Sequence, residues 1–119
     1  VNTGKTEWVI TKIKQEVKNL ERKIGRKPVV ACMGLTYKAD IDDLRESPAL
    51  EIFASLKKSK LSVLAVEPNI REHKKISVTD TAVALKQADI IVFLVNHKEF
   101  SSLGINGKII LDFCGINSK

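Results

Sequence analysis

The loop formed by residues 34–49, between a predicted strand and a predicted helix, carries most of the groups that could do chemistry. Lys38 and Arg45 supply two cations. The acids beside them are Asp40, Asp42, Asp43 and Glu46. In an open α/β sheet, ligands bind at the carboxyl ends of the strands, where such a loop begins. Two cations beside a helix N-terminus suit a phosphate or diphosphate; the alternative is a solvated loop with internal ion pairs.

Three further polar residues could be functional. Glu67 ends the second predicted strand, where dinucleotide-binding folds often place an acid against ribose hydroxyls. Because no Gly-x-Gly-x-x-Gly pattern accompanies it, we favour an acid that caps the turn before Pro68. His97 follows the third predicted strand and could be catalytic, although a loop histidine with a local hydrogen bond is more common. His73 lies in a basic stretch, and we expect it at the surface.

The two cysteines point away from metal and thiol chemistry. Cys32 lies within an apolar strand and Cys114 near the end of the sequence, without a partner at metal-ligand spacing. We therefore predict no metal site and no disulfide. Cys32 is predicted to be a small buried hydrophobe, because nothing nearby in the sequence would stabilise its thiolate.

Composition favours a single globular domain. The chain has 119 residues and a formal net charge of +6. Its basic residues are interleaved with acids and aromatics are only 5%, so we expect no nucleic-acid partner. No apolar run approaches the roughly 20 residues of a membrane span, and the polar N-terminus lacks the apolar segment of a signal peptide. These features favour a cytoplasmic protein without a membrane partner.

The pattern of apolar residues predicts alternating helices and strands. Helices are predicted over residues 6–24, from 48 to the lysines at 57–60, and around 80–87. Strands are predicted over 28–34, 61–66, 89–95 and 108–112. Continuous apolar strands separated by helices indicate a parallel sheet covered on both faces. The predicted fold is a small doubly wound, Rossmann-like, three-layer α/β/α domain preceded by a long N-terminal helix.

The N-terminal helix carries an apolar stripe at helical spacing. Its members are Val9, Ile13, Val17, Leu20 and Ile24. Lysines and glutamates fill the other faces of the helix. The stripe could pack against the sheet of its own domain or form half of an interface with another chain. Trp8 is a candidate for either packing or interface contact.

Several motifs resemble one known family. The run Gly34-Leu35-Thr36-Tyr37-Lys38, followed by Asp43-Leu44-Arg45-Glu46-Ser47-Pro48-Ala49, is similar to the signature of the C-terminal domain of the UDP-glucose/GDP-mannose dehydrogenase family. The segments 66–70 and 94–100 resemble the UDP-N-acetyl-D-mannosamine dehydrogenase branch. Other branches usually have Asp-Pro where this chain has Glu67-Pro68. The resemblance covers nearly the whole chain.

The resemblance implies an activity. Enzymes of this family oxidise the C6 hydroxyl of a nucleotide sugar to a carboxylate in two NAD-dependent steps. The implied substrate is UDP-N-acetyl-D-mannosamine, and the product would feed surface polysaccharide biosynthesis. UDP-glucose and UDP-N-acetylglucosamine are alternative substrates. A non-catalytic module for nucleotide binding or assembly is the alternative from another functional class.

The resemblance also assigns roles to individual residues. Tyr37 and Lys38 would contact the UDP-sugar, and Arg45 would reach the NAD bound by another domain. No catalytic residue of the family is matched in this chain. Many members carry a basic residue that contacts the substrate of a neighbouring subunit at the position of Cys114, so this contact is in question here.

The resemblance predicts that the chain is one part of a larger enzyme. Residues 1–25 would form an interdomain helix, and residues 26–119 the UDP-sugar-binding domain. The NAD-binding catalytic domain would precede them, and without it the fragment would be inactive. The expected partners are the UDP-sugar, the protein's own N-terminal domain, and further copies that form a homo-oligomer through the N-terminal helix.

Overall fold

The computed structural model describes residues 3–36, 47–68, 77–95, 97–100 and 108–113. The helices are α1 (Thr3–Ile24), α2 (Pro48–Lys58) and α3 (Thr81–Gln87), with a short 3₁₀ helix at Lys98–Phe100. The strands are β1 (Val29–Met33), β2 (Ser62–Val66), β3 (Ile90–Phe93) and β4 (Ile109–Asp112). Each of these helices and strands follows the sequence prediction to within a few residues, apart from the 3₁₀ helix, which was not predicted.

The four strands form one parallel sheet in the order β2-β1-β3-β4. The central strands β1 and β3 are buried on both faces, which explains their unbroken apolar sequence. In the register, Cys32 of β1 lies between Ala65 of β2 and Val92 of β3. The predicted doubly wound parallel sheet is therefore confirmed.

Helices cover both faces of the sheet. On one face, α1 and α2 pack over Val30 and Cys32 of β1. On the other face, α3 and the 3₁₀ helix pack over Ala31 and Met33. The alternation of these β1 residues between two apolar clusters gives the three-layer α/β/α arrangement.

The apolar stripe of α1 packs against its own sheet. Val9, Ile13 and Val17 are almost fully buried and belong to the same apolar cluster as β1 and α2. Leu20 packs at the edge of that cluster, and Ile24 is exposed at the end of the helix. Of the two predicted alternatives, packing on its own sheet or on another chain, these contacts support packing on its own sheet. The division into residues 1–25 and 26–119 remains a prediction.

A carboxylate ties the amino ends of the strands together. Asp89 precedes β3 and accepts hydrogen bonds from both guanidinium nitrogens of Arg26, at 2.9 and 2.7 Å. Its Oδ2 atom also accepts the backbone N–H of Val29 at 2.9 Å. The hydrogen bond from Arg26 is the main reason why the pKa of Asp89 lies below its ordinary value.

Within the ranges that the structure describes, no helix is both long and apolar enough to cross a membrane.

Candidate functional site at the carboxyl ends of the strands

Three polar side chains meet at the carboxyl edge of the sheet. Thr36 follows β1, Glu67 directly follows β2, and His97 follows β3. Their residues are only 1%, 2% and 0% exposed. We call Thr36, Glu67 and His97 the strand-end cluster. Because β1 lies between β2 and β3 in the sheet, Glu67 and His97 approach the chain after β1 from opposite sides.

The carboxylate of Glu67 holds the backbone after β1. Its Oε1 atom accepts the N–H groups of Leu35 at 2.7 Å and Thr36 at 3.1 Å. Two successive amides on one carboxylate oxygen fix the orientation of both peptide planes. Hydrogen bonds to an ionised group are stronger than neutral ones and offset part of the cost of its burial. The carboxylate of Glu67 thus acts on the chain after β1, a contact that goes beyond the predicted cap of the turn before Pro68.

His97 completes the cluster through its Nε2 atom. Its Nε2 atom lies 3.0 Å from each carboxylate oxygen of Glu67 and 3.1 Å from the hydroxyl of Thr36. Since an ionised carboxylate can only accept hydrogen bonds, Nε2 carries the proton in this arrangement. These partners of His97 are distant in sequence, so the ring makes long-range contacts that the sequence did not predict.

The cluster combines shared contacts with deep burial. Nε2 of His97 faces both Glu67 and Thr36. All three residues are also shielded from solvent. The cluster can therefore position the backbone at this edge of the sheet. Among the described residues, no group of histidine, cysteine and acidic side chains could hold a metal ion.

A glycine allows the strands to approach closely at this edge. Gly34 has φ +98°, and its N–H donates to the carbonyl of Val66 at 2.8 Å. A Cβ atom on Gly34 would lie 2.6 Å from the Cβ of Val95. The carbonyl of Met33 in turn accepts the N–H groups of Leu94 and Val95. The start of the loop is thus held against the segments that follow β2 and β3.

Ser47 fixes the other end of the loop. Its hydroxyl donates to the carbonyl of Leu35 at 2.6 Å and accepts the N–H of Leu50 at 3.2 Å. The second contact is the N-cap of α2, and Pro48 occupies the first turn, as the sequence predicted. The peptide group between Leu35 and Thr36 is therefore held on both sides, by Ser47 through the Leu35 carbonyl and by Glu67 through the Thr36 N–H.

The residues predicted to bind ligands are attached between these two anchors. Tyr37 and Lys38 follow Thr36 directly, and Arg45 stands two positions before Ser47. All three lie outside the described residues, so their assigned contacts remain predictions. His73 and Cys114 also fall outside the described ranges.

Two other residues singled out in the sequence lie in described parts of the structure, one buried and one largely exposed. Cys32 is fully buried, and burial raises the pKa of its thiol to about 12. This confirms that it is a buried hydrophobe rather than a nucleophile. Trp8 is 55% exposed on α1, with its ring edge-on to Phe113 at 5.9 Å between centroids.

Comparison with known proteins shows the family of this chain. Residues 31–119 match the model of the UDP-glucose/GDP-mannose dehydrogenase family, UDP binding domain. The chain belongs to the UDP-glucose/GDP-mannose dehydrogenase family. The matched range includes the whole strand-end cluster and Ser47. The predicted resemblance is therefore confirmed.

Several members of the UDP-glucose/GDP-mannose dehydrogenase family are similar over almost the whole chain. The UDP-N-acetyl-D-mannosamine dehydrogenase of Campylobacter jejuni is 39% identical over 96% of this chain and 28% of its own length. The NDP-N-acetyl-D-galactosaminuronic acid dehydrogenase of Ralstonia nicotianae is 36% identical over 98% of this chain and 28% of its own length. The chain thus spans less than a third of these relatives.

The fold is also shared with solved structures of the family. The structure of the UDP-N-acetyl-mannosamine dehydrogenase from Staphylococcus aureus superposes with a TM-score of 0.76 at 26% identity. That alignment covers 98% of this chain and 32% of the other. A UDP-D-ManNAc dehydrogenase from Pyrococcus horikoshii gives a TM-score of 0.69 at 27% identity, over 92% of this chain and 28% of the other. Both alignments include α1 in large part, so this helix belongs to the shared architecture.

Proposed function

We propose that this chain is the UDP-sugar-binding part of an NAD-dependent UDP-N-acetyl-D-mannosamine 6-dehydrogenase. The observation that carries the proposal is the match of residues 31–119 to the UDP-binding domain of the family. Relatives named UDP-N-acetyl-D-mannosamine dehydrogenase support the choice of sugar. In the reaction, the C6 hydroxyl becomes a carboxylate, two NAD molecules each accept one hydride, and water supplies the second carboxylate oxygen.

The loop between Thr36 and Ser47 supplies the proposed ligand contacts. Tyr37 and Lys38 contact the nucleotide sugar, with the Lys38 ammonium against a phosphate as a point charge. Arg45 reaches NAD. Because the loop lacks the glycine fingerprint of a dinucleotide cradle, NAD is held mainly by a domain outside this chain.

Steady-state kinetics of the dehydrogenase that carries this chain test the two roles. Lys38→Ala should raise KM for the UDP-sugar about 10- to 100-fold, the usual range for one lost charge-assisted hydrogen bond, with little change in KM for NAD. Arg45→Ala should show the opposite preference. Lys58→Ala is the matched control, because this exposed lysine lies at the far end of α2 from the loop. Equal small effects from Lys38→Ala and Arg45→Ala would contradict both roles.

The identity of the substrate sugar can be tested directly. Relatives named NDP-N-acetyl-D-galactosaminuronic acid dehydrogenase are 36% identical to this chain, which makes an N-acetylgalactosamine-type sugar nucleotide the second candidate. Comparing kcat/KM for these two sugars, UDP-glucose and UDP-N-acetylglucosamine decides among them. The proposal requires the highest value with UDP-N-acetyl-D-mannosamine.

We also propose that the protein forms a homo-oligomer through the outward side of α1. Support comes from Trp8, which is 55% exposed on this helix. The buried stripe of α1 cannot contribute, since it packs on the sheet of its own domain. Sedimentation velocity over a range of concentrations tests the proposal, and a monomer throughout would contradict it.

A further inference from the structure

We propose that the strand-end cluster is a positioning device that sets the affinity of the neighbouring loop for the diphosphate of a UDP-sugar. The inference rests on the proposed function and deepens it. It assigns a role in binding to Glu67, His97 and Thr36, although none of them would touch the ligand.

The hydrogen bonds of the cluster end where the proposed ligand contacts begin. Glu67 fixes the amides of Leu35 and Thr36, and Thr36 is followed by Tyr37 and Lys38. The bond between the Thr36 hydroxyl and His97 also restricts the Thr36 side chain. The direction in which the chain leaves Thr36 is therefore set by groups that belong to β2 and β3 rather than to the loop itself.

The cost of the cluster indicates a role beyond folding. Burying an imidazole and a carboxylate removes both from water, and apolar residues of similar volume often stabilise a fold equally well. A neutral residue could also have satisfied the two amides. What the cluster adds is that side chains from three parts of the sheet fix one point of the backbone, and rigid placement of a ligand-binding group reduces the entropy lost on binding.

Ser47 extends the same control to the far end of the loop. Its hydroxyl donates to the carbonyl of Leu35, and the N–H of the same peptide group, that of Thr36, donates to Glu67. One peptide group therefore fixes the chain just before Tyr37 and is bonded to the residue that follows Glu46. Displacing that peptide would change the point from which the chain continues to Lys38.

Calorimetric titration of UDP into the natural-length protein tests the inference through a double-mutant cycle. Glu67→Gln keeps the volume of the side chain, and its carbonyl oxygen can still accept the N–H groups of Leu35 and Thr36. Its side-chain NH2 group, however, would face the Nε2–H of His97, so that two donors meet. We expect it to raise the Kd for UDP about tenfold. In a Lys38→Ala background the same substitution should change Kd less than about twofold, because the cluster acts through Lys38.

The matched control is Asp89→Asn. Asp89 is also a carboxylate that accepts a backbone N–H and pairs with a basic side chain, but it lies at the amino edge of the sheet. The Asp89→Asn substitution should lower the midpoint of urea unfolding without changing the Kd for UDP. An equal rise in Kd from Asp89→Asn and Glu67→Gln would overturn the inference, since it would reflect general loosening of the domain.

Rescue by a conservative variant separates positioning from packing. His97→Gln keeps an N–H donor for Glu67 and should stay within about threefold of the unmodified Kd, whereas His97→Leu should lose about tenfold. If Glu67→Gln does not fold, Thr36→Val removes the hydroxyl contact with His97 and should still weaken UDP binding. Two results would refute this inference without affecting the proposed function. One is an unchanged Kd for UDP in every folded cluster variant, and the other is an equal rise in Kd in the presence and absence of Lys38. Absence of UDP binding by the unmodified protein refutes the proposed function and this inference with it.

Discussion

Gly34→Ala should destabilise the domain far more than Gly25→Ala, although both glycines have positive φ. Gly25 has φ +71° and no atom within 4 Å of a Cβ built on it. Gly34 has φ +98°, and its Cβ would lie 2.6 Å from the Cβ and 3.0 Å from the backbone nitrogen of Val95. The pair therefore separates the cost of an unusual backbone conformation from the cost of a steric collision.

The expected magnitudes follow from these contacts. A left-handed conformation costs a residue with a Cβ roughly 1–2 kcal/mol, and both alanine variants lose this amount. Gly34→Ala also overpacks the strand ends, which typically costs about 1–3 kcal/mol. Rotation of the Val95 side chain cannot relieve the contact, because both atoms concerned are fixed by the Val95 backbone, whose N–H is bonded to the carbonyl of Met33. The total for Gly34→Ala is about 2–5 kcal/mol.

Urea denaturation followed by circular dichroism measures both free energies of unfolding. Gly34→Ala should lose at least about 1 kcal/mol more than Gly25→Ala, a large share of the roughly 5–15 kcal/mol that typical domains have. Losses that agree within about 0.5 kcal/mol would show that the approach of Gly34 to Val95 is not as close as described. They would also refute the argument that glycine is needed there for space.

Three further predictions concern other contacts. Ser47→Ala should lower the free energy of unfolding by about 1–2 kcal/mol in urea titrations, since it removes both the N-cap of α2 and a bond to the loop. In a Cys114→Ser variant, Cys32 should react with a thiol reagent only after denaturation, because its thiol is buried and its pKa is about 12; rapid labelling of the native protein would contradict this. Because Arg26 lowers the pKa of Asp89, their contribution to stability is present above the ordinary value of 3.8 and is lost as pH falls through the lower folded value. The acid limb of the stability profile should be flatter in Asp89→Asn, and identical profiles would contradict this.

The sequence predicted the layers of the fold because the signals are strong and local. β1 and β3 are continuous apolar runs, and the Ser47-Pro48 pair marks the start of α2. The packing of α1 was left open because an apolar stripe looks the same whether it faces its own sheet or another chain. The choice depends on tertiary contacts that periodicity does not encode.

The strand-end cluster was missed for a different reason. Glu67 and His97 were each weighed alone, against local hydrogen bonds, whereas their partners lie on other strands. A signal was available: polar residues that follow neighbouring parallel strands meet at one edge of the sheet. The sequence does not give the order β2-β1-β3, however, and only this order places both side chains around Thr36.

The central position of β1 also has a consequence for folding during synthesis. Its neighbours in the sheet come later in the chain, Val30 being paired with Val63 of β2 on one side and Ile90 of β3 on the other. When β1 leaves the ribosome, neither edge of this apolar strand has a partner, and the second edge stays open until β3 has been made. Pairing at such sequence separations is slow, and unpaired apolar strands promote aggregation. Until the sheet closes, α1, already synthesised and carrying its apolar stripe, can cover only the face of β1 that carries Val30 and Cys32, so the edges of the strand should be the exposed part of the nascent domain.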